Sequence, residues 1–429
     1  MAFLKGLPMA TASNDWKLVN HLDCDGNGVL CTIEADNSKD GFKTNNLTDN
    51  QAANKEHAPW FLGLSDDDQV IMFDPVDKQV TTQTKMPKDA FPAYSYKDPE
   101  SDLIWFMFDG DKEFGNDQLN CGTNGSTVTI INQKTLSHVK TLCLGSGHHV
   151  TTFLKPTANH PDMPRVVYVS NLLSGSISVI DYDENNASTY LTVISEINLC
   201  EPSKEKDNTG DVPNNAFPHG KQYSDVTGKV YSLNNGYGTI AVIEPKTQEI
   251  ESRINLKGAS NLLLSPCGKF IIGKGADRKT NDEHVLGLLT VVDILKESIE
   301  TELEIKDLYP STYRFNPQGN KLYVTSAATG KGAQKNNLNI DTLFVYDATK
   351  LPSLELLKTV KIGTADCGRR PISFPTNKNL NLVFIPNPSD GTVTIINTVN
   401  DEVITTLKIS DAPGKEFNFS FWKSDISGA

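Results

Sequence analysis

Short apolar stretches that end in an acid or its amide recur along the chain. They read Val70-Ile-Met-Phe-Asp74, Val128-Thr-Ile-Ile-Asn132, Ile177-Ser-Val-Ile-Asp181, Ile240-Ala-Val-Ile-Glu244, Leu289-Thr-Val-Val-Asp293, Leu343-Phe-Val-Tyr-Asp347 and Val393-Thr-Ile-Ile-Asn397. Successive copies start 49 to 63 residues apart, a quasi-period that suits a unit of four strands with loops. A polar turn and another strand follow several copies, as in Pro245-Lys-Thr-Gln248 leading into Ile250-Glu-Ser-Arg-Ile-Asn-Leu256. Ahead of them stand Val166-Val-Tyr-Val-Ser170, Val230-Tyr-Ser-Leu233 or Leu322-Tyr-Val-Thr325, and further upstream a strand of small or Pro-containing sequence such as Phe217-Pro-His-Gly-Lys-Gln-Tyr223. Four β-branched strands repeated seven times, with little helical periodicity, predict an all-β fold: one domain, a seven-bladed β-propeller of four-stranded antiparallel blades. Residues 1–15 form a tail and 16–429 the ring, with insertions near 36–59, 110–126, 200–216, 275–285 and 327–341. Either Trp16 to Asp23 or Gly414-Lys-Glu-Phe-Asn-Phe-Ser-Phe-Trp422 supplies the strand that closes the ring.

Segments such as Lys229-Val-Tyr-Ser-Leu-Asn-Asn-Gly-Tyr-Gly-Thr-Ile-Ala-Val-Ile-Glu244 and Asn381-Leu-Val-Phe-Ile-Pro-Asn-Pro-Ser-Asp-Gly-Thr-Val-Thr-Ile-Ile-Asn397 resemble the YVTN-type propeller repeat. The resemblance runs from about residue 60 to the C-terminus. It is similar to the haem-d1 domain of cytochrome cd1 nitrite reductase and to the propeller domains of nitrous oxide reductase and thiocyanate dehydrogenase. It specifies fold far better than function, because such propellers serve as enzymes, cofactor holders and docking platforms.

Composition changes the picture in what it removes. A net charge of −13 repels polyphosphates, so nucleic acid is not an expected partner. No window approaches the ~18 to 20 apolar residues of a membrane-spanning helix. The start of the chain is weakly apolar for a secretory signal, so a cytoplasmic location is favoured, with a periplasmic or secreted one open if a signal was removed. The seven cysteines are odd in number and scattered, which disfavours a disulfide framework or a four-cysteine zinc site.

In a propeller the innermost strands line a central channel. Aligning the repeats places His149, His219, Ser311 and Arg370 at equivalent innermost positions, so a ligand in the channel is the first expectation, with His149, His219 and Arg370 as its catalytic candidates. The Pro-His-Gly at 218–220 resembles the channel histidines that ligate copper in the nitrous oxide reductase propeller; Ser260-Asn261 stands where that family carries Pro-His. His21, His57, His148 and His284 are further imidazoles available to a transition metal, copper or iron. By the haem-d1 resemblance, one axial histidine is joined by cations for the cofactor's carboxylates, a role open to Lys221, Arg314, Arg369 and Arg370. The bland alternative is a set of water-bound channel residues, with His138 and His160 on the surface and Arg369-Arg370 anchoring a blade. Separately, Asp23-Cys-Asp25-Gly-Asn27-Gly28-Val29-Leu-Cys-Thr-Ile-Glu34 matches the calcium-loop pattern, with Asp23, Asp25, Asn27, Val29 and Glu34 as its ligands. The same Asp-Gly-Asn-Gly is also a good strand-to-strand turn. Redox chemistry on a metal or metal cofactor is therefore expected in the channel. A protein-docking platform built on the insertions and a lactonase-like hydrolase are the alternatives.

Overall fold

The computed structural model describes residues 15–22, 29–36, 61–65, 69–74, 79–85, 92–98, 100–108, 126–132, 138–147, 150–206, 209–364, 372, 374, 381–387, 389–390 and 392–408. Strands β1 (Asp15–Leu22) and β2 (Val29–Asp36) pair as a hairpin of their own. Antiparallel meanders follow. The first joins β3 (Phe61–Ser65), β4 (Gln69–Asp74) and β5 (Gln79–Lys85). The second joins β6 (Pro92–Lys97), β7 (Leu103–Phe108), β8 (Ser126–Asn132) and β9 (His138–Leu144). The third is β10 (Thr151–Leu154), β11 (Val166–Asn171), β12 (Ser176–Asp181) and β13 (Val193–Asn198). The fourth is β14 (Pro218–Ser224), β15 (Lys229–Asn234), β16 (Thr239–Glu244) and β17 (Glu249–Asn255). The fifth is β18 (Ala259–Leu264), β19 (Phe270–Asp277), β20 (Leu286–Asp293) and β21 (Ser298–Lys306). The sixth is β22 (Pro310–Phe315), β23 (Lys321–Ser326), β24 (Thr342–Asp347) and β25 (Glu355–Lys361). The last joins β26 (Leu382–Asn387), β27 (Thr392–Asn397) and β28 (Glu402–Lys408).

The repeated motif is the third strand of each four-stranded meander, and like the second strand beside it, it is buried on both faces. In β11, Val166 and Tyr168 pack forward onto Val230, Ala241 and Ile243 of the next sheet. Val167 and Val169 pack backward onto Trp105, Val128 and Ile130. The alternation of strand side chains thus sends successive residues to opposite neighbours, so the strand reads as a continuous apolar run. Like interfaces join the fourth sheet to the fifth, the fifth to the sixth and the sixth to the last. This face-to-face stacking of twisted four-stranded meanders is the architecture of a β-propeller.

The terminal acid or amide of the motif has a local task. Asp181, Glu244, Asp293, Asp347 and Asn397 each accept a hydrogen bond from the backbone N–H two residues on, at 2.8–3.0 Å. That closes the turn into the fourth strand. The penultimate residues of the motif carry a β-bulge in all seven meanders, between Met72/Phe73, Ile130/Ile131, Val179/Ile180, Val242/Ile243, Val291/Val292, Val345/Tyr346 and Ile395/Ile396.

Strand β1 pairs with β2 alone, so Trp16–Leu22 joins no other described sheet. Residues 409–429, the other candidate for ring closure, lie outside the described residues. No described helix is long and apolar enough to cross a membrane. Cys143 on β9 is disulfide-bonded while Cys200 and Cys267 are free.

Candidate functional site

The innermost strands do not start as regular strands. The register of β6, β14, β18 and β22 with its partner slips by one residue near its beginning: between Pro92/Tyr94, Pro218/Lys221, Ala259/Asn261 and Pro310/Tyr313. Each slip is a bulge, and bulges re-aim side chains. His219, Ser260 and Ser311 fall inside these bulges. Repeat alignment assigns His219 and Ser311 to the ring, and in the fifth repeat it sets Ser260-Asn261 against Pro218-His219. Gly220 makes the second of them possible: its φ of +105° is left-handed, and a Cβ there would stand 2.7 Å from Asn261 Oδ1 and 2.8 Å from the Leu262 nitrogen.

Strand β10 borders β14, and β14 borders β18. These strands and β22 enclose a cavity of about 730 Å³. Its wall runs from Val150 and Thr151 through His219 and Lys221, then Ser260 and Asn261, to Ser311 and Arg314, with Tyr96, Lys274 and Phe374 closing it. The basic side chains on this described wall are Lys221, Lys274 and Arg314, accompanied by the imidazole of His219. Strand polarity sets the mouth: in a meander, the links from second to third strand and from fourth strand to the next sheet lie at the end where innermost strands begin. The insertions 200–216, 275–285 and 327–341 are links of these kinds, so they gather at that end. They are pinned. Gln334, in the short helix α1 (Gln334–Asn337), donates to the carbonyls of Arg278 and Asn281, and Glu201 holds Lys204 and Arg253 at 2.8 and 3.2 Å.

Lys221 is 2% exposed. Its Nζ donates to the Val150 carbonyl at 2.9 Å and to the Ser170 hydroxyl at 3.0 Å, reaching from the fourth sheet into the third. Both acceptors are neutral, and burial pushes its amine well below the ordinary lysine value. Lys274 on β19 reaches the other way, donating to the carbonyls of Pro310 (3.2 Å) and Ser311, with its ammonium 5.6 Å from the centre of the Tyr313 ring. The Tyr313 hydroxyl donates to the Ile272 carbonyl at 2.9 Å, and burial pushes it well above the ordinary tyrosine value. Lys274 was not singled out from sequence. The signal was there: one charge inside the buried run Phe270-Ile-Ile-Gly-Lys-Gly275.

Of the expected site residues, His219, Lys221 and Arg314 are brought together on this wall. His284 is not among its lining residues; its Nδ1 lies 2.7 Å from Asp307 Oδ1 at the base of the 275–285 insertion. His148, His149, His57, Arg369 and Arg370 lie outside the described residues, although Val150, next to His149 in sequence, lines the cavity. His21 stands on β1 opposite Leu30. Among the described residues no three His, Cys, Asp or Glu side chains gather as metal ligands. His138 is exposed and pairs with Thr141, and His160 donates from Nε2 to the Asp225 carbonyl at 3.0 Å. Of the calcium loop, Asp23, Asp25 and Asn27 lie outside the described residues. Val29 and Glu34 belong to β2, where they oppose Leu22 and Lys17. The flanks are paired strands where an EF-hand has helices, and Glu34 lies five positions along β2 from Val29, roughly 17 Å at strand rise.

No protein-family model matches the chain, and no curated protein matches it. Solved structures do. A candidate 6-phosphogluconolactonase from Bacteroides fragilis shares 12% identity over 86% of this chain and 99% of its own, with a TM-score of 0.54. A second, from Bacteroides uniformis, shares 12% over 85% and 100%, with a TM-score of 0.53. The β-propeller domain of Cps50 (Swd1) from Myceliophteria thermophila shares 9% over 79% and 93%, with a TM-score of 0.49. At such identities the first two likenesses speak for the propeller fold alone.

Proposed function

We propose that this β-propeller works through the cavity between its innermost strands and holds there a small-molecule ligand or metal-bearing cofactor, with redox chemistry as its use. The observation that carries the reading is the convergence of bulged innermost strands on one cavity of about 730 Å³, within the range of ligand sites. His219 is the described imidazole at that wall, and His149 and Arg370 are its companions by repeat alignment. Among the described residues the wall offers one imidazole, which suits a macrocycle-held iron, since such an iron needs as little as one axial imidazole. Bound there, such a group would supply one-electron chemistry; His219 would hold it. The ring itself is read as seven blades, one for each motif-bearing meander.

Elemental analysis and an absorption spectrum of the purified protein test the reading. Bound iron or copper is expected, with His219→Ala losing most of it while the far-ultraviolet circular dichroism stays unchanged. A colourless, metal-free protein would move the weight to lactone hydrolysis in the same cavity, the activity named for its fold relatives, and a lactonase assay decides that. A protein-docking platform is the further alternative, favoured by the pinned insertions at one end of the meanders. The calcium loop is a separate reading resting on carboxylate spacing. Calorimetric titration with calcium checks it, and ligation through Glu34 would require the β1–β2 pairing to open.

A further inference from the structure

We propose that the cavity takes an amphipathic small molecule, one with a hydroxyl or similar hydrogen-bonding group at one end and an apolar body reaching about 13 Å along the innermost strands. The inference rests on the reading of the cavity as the working site, and it adds the ligand's polarity and reach.

A spacing shared by three sheets carries it. His219, Ser260 and Ser311 stand in the bulges where β14, β18 and β22 begin. Four positions after them in sequence come Tyr223, Leu264 and Phe315. The register puts these three at one depth. They oppose Val230, Ile271 and Leu322, each of which lies four residues before the strand partner of Pro218, Ala259 or Pro310. All six side chains belong to residues that line the cavity. A polar level at the end where the innermost strands begin is therefore followed, about 13 Å deeper at strand rise, by an apolar collar. Tyr223 belongs to the collar because its hydroxyl is turned to Asp225 Oδ1, at 3.4 Å. In the seventh repeat the same step leads from Arg370, the aligned ring position, to Phe374, which also lines the cavity.

Each level has chemistry to offer. Tyr223, Leu264 and Phe315 are half-buried, packed against the cores between the sheets and lining the cavity with the rest of their surface, which an apolar body would take out of water. Pro266, exposed at the tip between β18 and β19, lines the cavity beyond Leu264, so the collar stands near the far mouth. At the polar level the Ser260 hydroxyl donates to the Lys274 carbonyl at 3.2 Å and keeps lone pairs that can accept from a ligand. A wholly apolar ligand would take that hydroxyl out of water with nothing in return, and a wholly polar one would leave the collar wet.

The opposing view is that the collar is only the inner fringe of the cores between the sheets. Displacement of N-phenyl-1-naphthylamine, an uncharged dye that brightens in apolar surroundings, separates the two in the full chain. The competitors are 1-hexanol, 1-decanol, the isomeric ether 1-methoxynonane and 1,10-decanediol. The expected result is 1-decanol binding on the order of a hundredfold tighter than 1-hexanol, as four more buried methylenes require. The ether, with no O–H to donate to the polar level, should bind about fivefold weaker than 1-decanol. The diol, which carries a hydroxyl into the collar, should bind about tenfold weaker. Leu264→Ser should weaken 1-decanol about tenfold while the far-ultraviolet circular dichroism stays unchanged. If that variant fails to fold, the wild-type comparison of 1-decanol with the ether and the diol still decides. Ether or diol binding as tight as 1-decanol overturns the inference, and so does a folded Leu264→Ser protein that binds 1-decanol as the wild type does. A cofactor that keeps the dye out is itself extracted and partitioned between octanol and water: entry into octanol upholds the inference, and a group that stays in water overturns it. A cofactor-free protein that binds no dye also overturns it. The cavity reading is decided separately by His219→Ala, because loss of bound metal or of lactone hydrolysis in that variant keeps the reading whatever the alcohols do.

Discussion

Gly220 fixes where His219 can be. Its left-handed φ and its contact with Asn261 and Leu262 let β14 bulge against β18, so replacing it with Ala adds both backbone strain and a clash. Gly220→Ala is expected to cost about 3 kcal/mol in urea unfolding. Gly332→Ala, at φ +49° with nothing within 4 Å of the added carbon, should cost about 1 kcal/mol. Equal losses at the two sites would refute the close approach. Lys221 sets a pH dependence whose sign can be worked out. Its folded-state pKa lies well below the 10.5 of the unfolded chain, so between those two values the unfolded chain holds a proton that the folded one lacks. Stability therefore rises with pH across that window, and the penalty is complete below the folded-state pKa. Urea unfolding between pH 7 and 10, in buffers without small anions, should show the wild type gaining on Lys221→Met as pH increases; parallel curves would show that the buried amine does not titrate differently in the two states. His219 was legible as a residue of the cavity wall because repeat alignment is alignment of bulges, and Lys221 and Arg314, expected through the haem-d1 resemblance, line the same cavity. Lys274 was not legible, because it sits on a second strand, which the alignment treats as core.

At the scale of the strand, the seven-fold motif was legible because burial on both faces makes an unbroken apolar run and the turn after it needs a side-chain acceptor. Its acids serve the turn that follows. Asp293 accepts from the nitrogens of Leu295 and Lys296 at 2.9 and 3.2 Å, which is turn closure. What the pattern did not reveal are the latches between meanders, since these join residues far apart in sequence. Asp401, 4% exposed, takes Lys321 Nζ at 2.5 Å and the hydroxyl of Tyr323, fastening the last hairpin to the sixth sheet. Burial, first, and then Asp401 hold the Tyr323 hydroxyl above the ordinary tyrosine range. Asp401→Asn keeps a side chain suited to the φ of +56° there and removes the charge. It should cost about 2 kcal/mol, and adding Lys321→Met should restore part of that by removing the stranded ammonium. Additive losses in thermal unfolding would show that the two side chains do not interact.

Across the whole molecule, the cysteines and the stacking carry the consequences. The disulfide at Cys143 was invisible in spacing, because an odd, scattered set gives no pairing signal. Thiol titration of the denatured, unreduced chain should find no more than five of the seven cysteines reactive; seven would show that Cys143 is reduced. The stacking sets a stronger test. Propeller sheets depend on neighbours at both faces, so a missing meander leaves an apolar face in water. Ending the chain after residue 364 removes Val383, Ile385 and Ile396, and uncovers Tyr323, Leu343, Val345, Val360 and Ile362 of the sixth sheet. Exposing five such side chains costs on the order of 10 kcal/mol, as much as the whole stability of an ordinary domain. The truncated chain is therefore expected to lose its cooperative thermal transition and to elute as aggregate in gel filtration. A monomer that unfolds cooperatively near the wild-type temperature would show that the sixth meander does not need the last one, and the proposed seven-bladed ring would lose its physical basis.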